Sequence, residues 1–169
     1  FRTMAQARAS RVVRRRSGVW EPLGSGLSPL SIARCLRPEP QGAVLVGGNF
    51  TSAGSVLAKG LARFDGQFWT SLGTLTSLSS FDVFDAERYS NGDLLVVGGA
   101  TSPHALLLSD GVWSRPTGNV PSGSINAAVI LPNGDAVVGG VFSTGVSGGA
   151  LAALARWDRT AWTTFQGGV

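Results

Sequence analysis

The sequence predicts an all-β protein built from repeated four-stranded antiparallel sheets, and three observations lead to this prediction. Aliphatic runs end in a glycine pair three times, at Gly47-Gly48, Gly98-Gly99 and Gly139-Gly140. Tryptophan recurs in step with these pairs, and Asn-Gly or Asp-Gly dipeptides separate the short apolar runs. The recurring tryptophans are Trp20, Trp69, Trp113 and Trp162. A period of roughly 40–50 residues is typical of a tandem array of one supersecondary unit.

The tryptophans set the boundaries of the repeats. Arginine stands six positions before three of them, at Arg14, Arg63 and Arg156, whereas Leu107 occupies this position in the middle repeat. A residue that recurs with the repeat serves the repeat, so we interpret these arginines as structural, bonding backbone or a carboxylate between neighbouring sheets. The repeats cover about 21–69, 70–113 and 114–162, with the start of another at 163–169. We expect the natural protein to contain further repeats on both sides.

Turn signals divide each repeat into four strands, which we call a, b, c and d. In the third repeat they are SINAAVIL, AVVGGVF, ALARWD and AWTTF. Asn91-Gly92 and Asn133-Gly134 predict a–b hairpins with type I′ turns, because both residues tolerate positive φ. Asp65-Gly66 and Asp110-Gly111 mark c–d hairpins in the same way. The first repeat has the longer turn RPEPQG between a and b.

Helix is not expected after residue 17. The apolar runs are short, and 24 glycines and 8 prolines interrupt them. The aliphatic run of each strand b is nearly continuous, which indicates a sheet covered on both faces. We expect the glycine pairs to permit close backbone approach where sheets converge, and the tryptophans to fill the wider gaps between sheets.

The combination of a strand ending in Gly-Gly, an aromatic-Asp pair and a following tryptophan resembles the kelch-type propeller repeat. The first repeat carries it as Gly47-Gly48, Phe64-Asp65 and Trp69, and the third as Gly139-Gly140, Trp157-Asp158 and Trp162. The middle repeat lacks the aromatic. The pattern is also similar to tandem repeats of large bacterial exported proteins. The resemblance covers 17–169 and implies about three and a half blades of a β-propeller, a fold that serves enzymes, adhesins and adaptors alike.

The charge distribution argues against a nucleic-acid partner. Six of the 14 basic residues lie in residues 1–16, which contain no acid, so the rest of the chain has 8 basic and 10 acidic residues. The repeats therefore lack a basic surface. Residues 1–16 are interpreted either as a basic arm or targeting segment or as the degenerate end of a preceding blade. No apolar run is long enough to span a membrane.

The residues that carry chemistry are few. Cys35 is the single cysteine and His104 the single histidine, so a zinc or copper site and a Ser-His-Asp triad are not expected. Asp82, Asp85 and Glu87 form an acidic cluster that suggests glycosidase or calcium chemistry, or else the polar face of a strand. We expect no catalytic residue, no metal and no cofactor.

Antiparallel connectivity places the a–b and c–d turns on one side of the array and the b–c loops and d–a links on the other. The short turns all fall on the first side. Function tends to reside on variable loops of a rigid scaffold, so the long-loop side is the predicted binding surface. Its candidate residues are small and polar: Asn49, Thr51, Ser52, Thr101, Ser102, His104, Ser143 and Thr144.

These observations favour a non-catalytic scaffold that binds protein or glycan in an exported or cell-surface protein. Two alternatives remain: the propeller of a larger enzyme whose catalytic residues lie elsewhere, and a purely structural array. Three and a half blades would leave open edges and faces, so we expect the isolated chain to be marginally stable or to self-associate.

Overall fold

The computed structural model describes residues 11–73, 82–99, 103–143 and 151–165. Within those ranges the protein is all-β, as predicted, and its one helical element is the 3-10 turn Pro40–Gly42. Three four-stranded antiparallel sheets each have the order a–b–c–d. The chain divides into an N-terminal unit, Phe1–Ser79, and a C-terminal unit, Ser80–Val169.

The N-terminal unit contains one four-stranded sheet and two hairpins. The first sheet consists of β3, β4, β7 and β8, while β1 pairs with β2 and β5 pairs with β6. The strands are β1 (Val13–Arg16), β2 (Val19–Pro22), β3 (Ile32–Pro38), β4 (Val44–Asn49), β5 (Ser52–Ala53), β6 (Val56–Leu57), β7 (Leu61–Phe64) and β8 (Trp69–Ser71). Phe50 and Cys35 are buried.

The C-terminal unit contains two four-stranded sheets, the middle sheet (β9 to β12) and the third sheet (β13 to β16). The strands are β9 (Val83–Arg88), β10 (Leu94–Gly98), β11 (Ala105–Ser109), β12 (Val112–Ser114), β13 (Ser122–Ile130), β14 (Ala136–Ser143), β15 (Leu151–Trp157) and β16 (Trp162–Thr164). In both sheets the first two strands are joined by the predicted Asn-Gly hairpin.

The two sheets of the C-terminal unit stack through apolar faces. Side chains alternate along a strand, so each sheet has a back face, carrying Leu95 or Val137 of strand b, and a front face, carrying Val96 or Val138. Leu95 and Val97 on the back of the middle sheet share one buried cluster with Val138 on the front of the third sheet. Leu95, Val97 and Val138 are fully buried. The continuous aliphatic run of β10 is therefore explained by a sheet that is buried throughout its strand b.

The repeated glycine has a different role from the predicted one. Strand a has a bulge in every sheet, and the glycine opposite the bulge lies against the backbone of strand a. A Cβ at Gly48, Gly98 or Gly140 would overlap the carbonyl oxygen of a strand a residue, whereas a Cβ at Gly139 would make an ordinary 3.4 Å contact. The close approach is thus within a sheet, and the prediction that it lies where sheets converge is wrong.

Register also shows that the middle glycine pair is offset by one residue. Gly48 pairs with Ala33, Gly98 with Val83 and Gly140 with Ile125, each beside the bulge. The equivalent of Gly47 and Gly139 is therefore Val97. In each pair only one position must be glycine, because a side chain there would overlap the backbone of strand a.

The hairpin turns lie where the sequence predicts them, but the predicted type I′ conformation is wrong for some of them. Gly92 and Gly134 have positive φ but Asn91 and Asn133 do not, so the Asn-Gly hairpins are three-residue loops that end in a glycine bulge. Asp110-Gly111 does form the type I′ turn, with φ of 49° and 77°. In the c–d hairpins of the first and third sheets, Gly66 and Arg159 instead hold the first central position with positive φ.

The four tryptophans do not share one environment. Trp69 and Trp162 are buried at 7% and 5% exposure, and Trp162 belongs to the cluster shared by the middle and third sheets, as predicted for residues that fill gaps between sheets. Trp113 is half-buried, and Trp20 on the β1–β2 hairpin is 45% exposed, so for Trp20 that prediction is wrong. The indole N–H of Trp69 donates to the carbonyl of Leu23 at 3.0 Å, which fixes the d–a link over the c–d hairpin of the first sheet.

Candidate functional site

In each unit a b–c loop and a d–a link lie together, as the connectivity predicts. In the N-terminal unit the loop forms the β5–β6 hairpin and binds the link through Ser28 N–H to Ser52 O at 2.9 Å and Gly54 N–H to Gly26 O at 2.7 Å. In the C-terminal unit His104 and residues 115–122 line one cleft. The long-loop side is thus a continuous feature of each unit considered by itself.

The predicted binding residues Thr51 and Ser52 have an internal structural role. Ser28 Oγ accepts the backbone N–H of Thr51 at 3.1 Å and of Ser52 at 3.4 Å, and it lies 2.7 Å from Ser31 Oγ. The Thr51 hydroxyl donates to the same oxygen at 3.3 Å. These contacts hold the loop on the link. The loop of the N-terminal unit is therefore held to the d–a link by hydrogen bonds that converge on Ser28 Oγ.

The C-terminal unit has a cleft of about 480 Å³ on its long-loop side. This volume lies within the range of roughly 300–1,000 Å³ that small-molecule sites occupy. Its walls come from the start of β11 and from the link between β12 and β13. The lining residues are Pro103, His104, Ala105, Arg115, Pro116, Gly118, Asn119, Val120, Pro121 and Ser122. Three prolines make the walls stiff, since each fixes its own φ.

Among the described residues, the lining of the cleft contains no carboxylate, and its polar side chains are those of His104, Arg115, Asn119 and Ser122. His104 Nδ1 lies 2.9 Å from the carbonyl oxygen of Gly99, which can only accept, so Nδ1 donates this hydrogen bond. Arg115 and Asn119 are exposed, and Arg115 has no ion pair within the described ranges. A guanidinium without a counter-charge is a site for a planar anion such as a carboxylate.

The remaining predicted binding residues divide into two groups. Asn49 is exposed at the end of β4, and Ser143 Oγ lies 2.8 Å from Ser122 Oγ beside the cleft. Thr101, Ser102 and Thr144 lie outside the described residues. The structure therefore brings His104 and Ser143 to one loop region and adds Arg115, which the sequence pattern did not single out.

The predicted acidic cluster is dominated by a buried structural carboxylate. Asp85 is 5% exposed, and its two oxygens accept the backbone N–H of Ala86 at 2.9 Å and of Ala128 at 3.0 Å. Ala128 belongs to β13, so Asp85 ties strand a of the middle sheet to strand a of the third sheet. A carboxylate engaged in this way is poorly placed to act as a nucleophile or a calcium ligand. No group of three potential metal ligands occurs in the described part of the chain.

The repeated arginines bond carboxylates, as predicted, but inside their own substructure. Arg63 Nε donates to Glu39 at 2.8 Å and Arg156 Nε to Asp135 at 2.7 Å, in both cases from strand c to the a–b turn of the same sheet. Arg14 bonds Glu21 at 3.0 Å within the β1–β2 hairpin. The prediction that they act between sheets is therefore wrong.

A different arginine, which the sequence pattern did not reveal, makes the link between sheets. Arg159, in the c–d turn of the third sheet, pairs with Asp93 in the a–b turn of the middle sheet, and its guanidinium lies 4.5 Å from the ring centre of Tyr89. Arg159 has φ of 76°, a strained value for a residue with a side chain. The signal available in the sequence was Leu107, whose presence in place of the repeat arginine leaves Asp93 without an arginine partner in its own sheet, where Asn91 Nδ2 donates to it at 2.9 Å.

The pKa shifts of the short-turn side have local causes. The side-chain hydrogen bond from Arg159 lowers the pKa of Asp93 to about 2. The Thr160 hydroxyl and two backbone N–H groups lower the pKa of Asp158 to about 2, and the N–H groups of Phe68 and Gln67 lower the pKa of Asp65. Burial raises the pKa of Tyr89 to about 12. Turn structure and the Arg159 ion pair therefore account for the perturbed carboxylates on this side.

No family model, no curated protein and no solved structure matches this chain. The part of the chain that the structure describes contains no helix long and apolar enough to cross a bilayer.

Proposed function

We propose that this chain is a non-catalytic binding module built from propeller-type repeats, and that the cleft beside Arg115 and His104 is its ligand site. The observation that carries the proposal is an uncompensated guanidinium in a proline-walled cleft on the long-loop side. The His104 ring is held by Gly99, so its Nε2 is presented at a fixed position. Fixed polar groups in a stiff cleft lower the entropic cost of binding.

The ligand class follows from the lining of the cleft. An arginine that has no ion pair with any described residue favours a carboxylate, which it can bind through two parallel hydrogen bonds. Among the described residues, the lining contains no Phe, Tyr or Trp, the side chains on which neutral sugars usually stack. We therefore propose an acidic segment of a partner protein as the ligand, in preference to a neutral glycan. An acidic glycan also carries a carboxylate, and the binding screen below distinguishes it from an acidic peptide.

The test is a binding screen of the intact chain against acidic peptides, acidic glycans and neutral glycans. Arg115→Glu should weaken binding of acidic peptides by about tenfold or more, because it replaces attraction by repulsion at the contact. Arg88→Glu is the matched control, since Arg88 is also an exposed arginine of the C-terminal unit but lies beside the a–b turn, where it donates to Gly92 O at 2.7 Å. Equal losses in both variants, or none in either, would exclude the cleft. Preferential binding of acidic glycans would reassign the partner.

The propeller arrangement is part of the proposal and is supported by three sheets of identical strand order and by the stacking of two of them. A structure of the natural protein in which the sheets surround a common axis would establish it, and a linear stack would contradict it. Exported or cell-surface location is proposed from the resemblance and the composition. Cell fractionation with an antibody against this chain tests it, and a purely cytoplasmic signal would refute it.

A purely structural array is the second candidate, and one observation favours it. The Thr51 hydroxyl of the β5–β6 loop bonds the Ser28 hydroxyl of the d–a link, as expected of a loop whose task is to brace a scaffold. Failure of every ligand class in the screen, together with unchanged stability of Arg115→Glu, would favour this alternative over a binding module.

A further inference from the structure

The third sheet has an apolar back face that is open to solvent. Its members come from strands a, b and c, and three of them are well exposed: Val129 at 49%, Val141 at 67% and Leu154 at 39%. Ala127 beside them is also exposed. Alternation along β14 places Val141 on the same face as Val137, and Val137 pairs with Val129. Large apolar side chains gathered on one sheet face indicate an interaction surface.

In the middle sheet, the equivalent back face is covered by the third sheet. In the middle sheet, Leu95 pairs with Leu107 as Val137 pairs with Arg156, so Leu95 and Val137 are equivalent positions. By the same register Ala105 is equivalent to Leu154. Leu95 and Ala105 are fully buried, in one cluster with the front face of the third sheet. The same surface is therefore closed by a repeat sheet in one case and open in the other.

We propose that the back face of the third sheet is a docking surface for another four-stranded sheet of this repeat, which presents its front face. The chemistry of the partner is defined by the front face that already occupies the equivalent position. That face has small and medium apolar residues on its inner strands, Ile125, Ala128 and Val138, and the stacked pair Trp157 and Trp162 on its outer strands, with ring centres 5.7 Å apart. Association is directional, back onto front.

The proposed contact on the third sheet lacks two polar interactions that join the middle and third sheets. The position of Asp85, which bonds β13 there, is Ala127 in the third sheet. The carboxylate equivalent to Asp93 is Asp135, which already has Arg156 as its partner. The partner sheet therefore needs neither an exposed backbone N–H for a buried carboxylate nor an arginine at its c–d turn. Arg156 pairs with Val137 and therefore lies on the same face, where its guanidinium is held by Asp135. The docking surface thus consists of exposed apolar side chains and one arginine that already has a partner.

The inference is tested by supplying the partner on the same chain. A copy of residues 121–165 is appended after Val169, so that the appended strand a begins at the same distance from Trp162 as Pro121 does from Trp113. The probe is Val141→Cys, labelled by a thiol reagent at a dilution at which both proteins are monomeric. Val112→Cys is the matched control, because Val112 is 66% exposed on β12. The native Cys35 is buried.

Labelling of Val141→Cys should slow by about tenfold or more in the extended chain, because only the transiently undocked fraction reacts. The Val112→Cys rate should stay the same. Leu154→Glu, placed in the original copy of the extended chain, should restore fast labelling at Val141→Cys without loss of strand content by circular dichroism.

Two results would overturn the inference. Unchanged labelling of Val141→Cys in a folded extended chain would show that the appended sheet does not dock there. Protection that survives Leu154→Glu would place the appended sheet elsewhere. The outcome is independent of what the cleft binds, since the inference rests only on the stacking of the middle and third sheets. Failure of the ligand screen therefore leaves it unaffected.

Discussion

The middle and third sheets have the same strand order, the same bulge and the same Asn-Gly hairpin loop, yet they satisfy their turn carboxylates differently. Asp135 bonds Arg156 of its own sheet, whereas Asp93 bonds Arg159 of the neighbouring sheet. The cause is position 107, where leucine replaces the repeat arginine. The arginine partner that the middle repeat lacks is supplied by the third repeat, so a departure from the repeat pattern marks a contact between repeats.

The same two sheets differ in the surroundings of their back faces, and this difference should produce the largest stability effect. Leu95→Ala leaves a cavity beneath the third sheet and should cost about 2–5 kcal/mol. Val137→Ala, at the equivalent position on the open face, should cost under about 1 kcal/mol. Urea unfolding followed by tryptophan fluorescence measures both. Equal losses would mean that the back face of the third sheet is as well packed as that of the middle sheet.

The glycine pairs provide the next comparison, between two adjacent residues. Gly140→Ala drives a methyl group into the carbonyl of Ser124 and should cost roughly 1–3 kcal/mol, as overpacking does. A Cβ in Gly139→Ala meets Leu154 at 3.4 Å and the carbonyl oxygen of Ala153 at 3.7 Å, which are ordinary contacts, so this variant should be neutral or slightly stabilising, because alanine loses less entropy on folding. Thermal unfolding midpoints of the two variants test this. A larger loss at Gly139 than at Gly140 would contradict the pairing of Gly140 with Ile125 beside the bulge.

Much of the fold could be predicted because the signals are local. Turn dipeptides locate the hairpins, and continuous aliphatic runs locate the central strands, such as β10, which is buried along its whole length. The role of the glycines was mistaken because a β-bulge leaves no mark of its own in the sequence. Only the pairing of Gly98 with Val83 reveals that the middle pair is offset.

The candidate site was less predictable, because it depends on contacts between segments far apart in sequence. His104 is conspicuous in the sequence as the only histidine. Arg115 is one arginine among many, and it becomes a candidate only because the β12–β13 link, which carries it, lines the same cleft as His104. Thr51 and Ser52 were predicted to bind ligand, and Ser28, 23 positions from Thr51, proved to be their partner. Composition indicates which groups are available, whereas their grouping is decided by the fold.

The smallest expected effect concerns the Arg159–Asp93 pair, and it separates backbone strain from charge. Arg159→Gly removes a charge-assisted hydrogen bond of about 1.5–3 kcal/mol and relieves left-handed strain of about 1–2 kcal/mol, so the net loss at pH 7 should be about 1 kcal/mol. Arg159→Ala loses the bond and keeps the strain, and should be the less stable variant at every pH. Chemical denaturation at pH 7 measures the order.

The pH dependence of this pair gives the sharper measurement. The pKa of Asp93 is lowered from 3.8 to about 2 in the folded protein, so the pair stabilises the fold fully above about pH 4 and loses that contribution as the pH falls towards 2. Asp158 titrates in the same range but bonds Thr160 and Ala161, so it contributes equally to wild type and variant. The stability difference between wild type and Arg159→Gly should therefore shrink from pH 4 to pH 2 and reverse in sign below it, where only the strain remains. A difference that stays constant over this range would show that Arg159 stabilises the protein through its stacking on Tyr89 and not through Asp93.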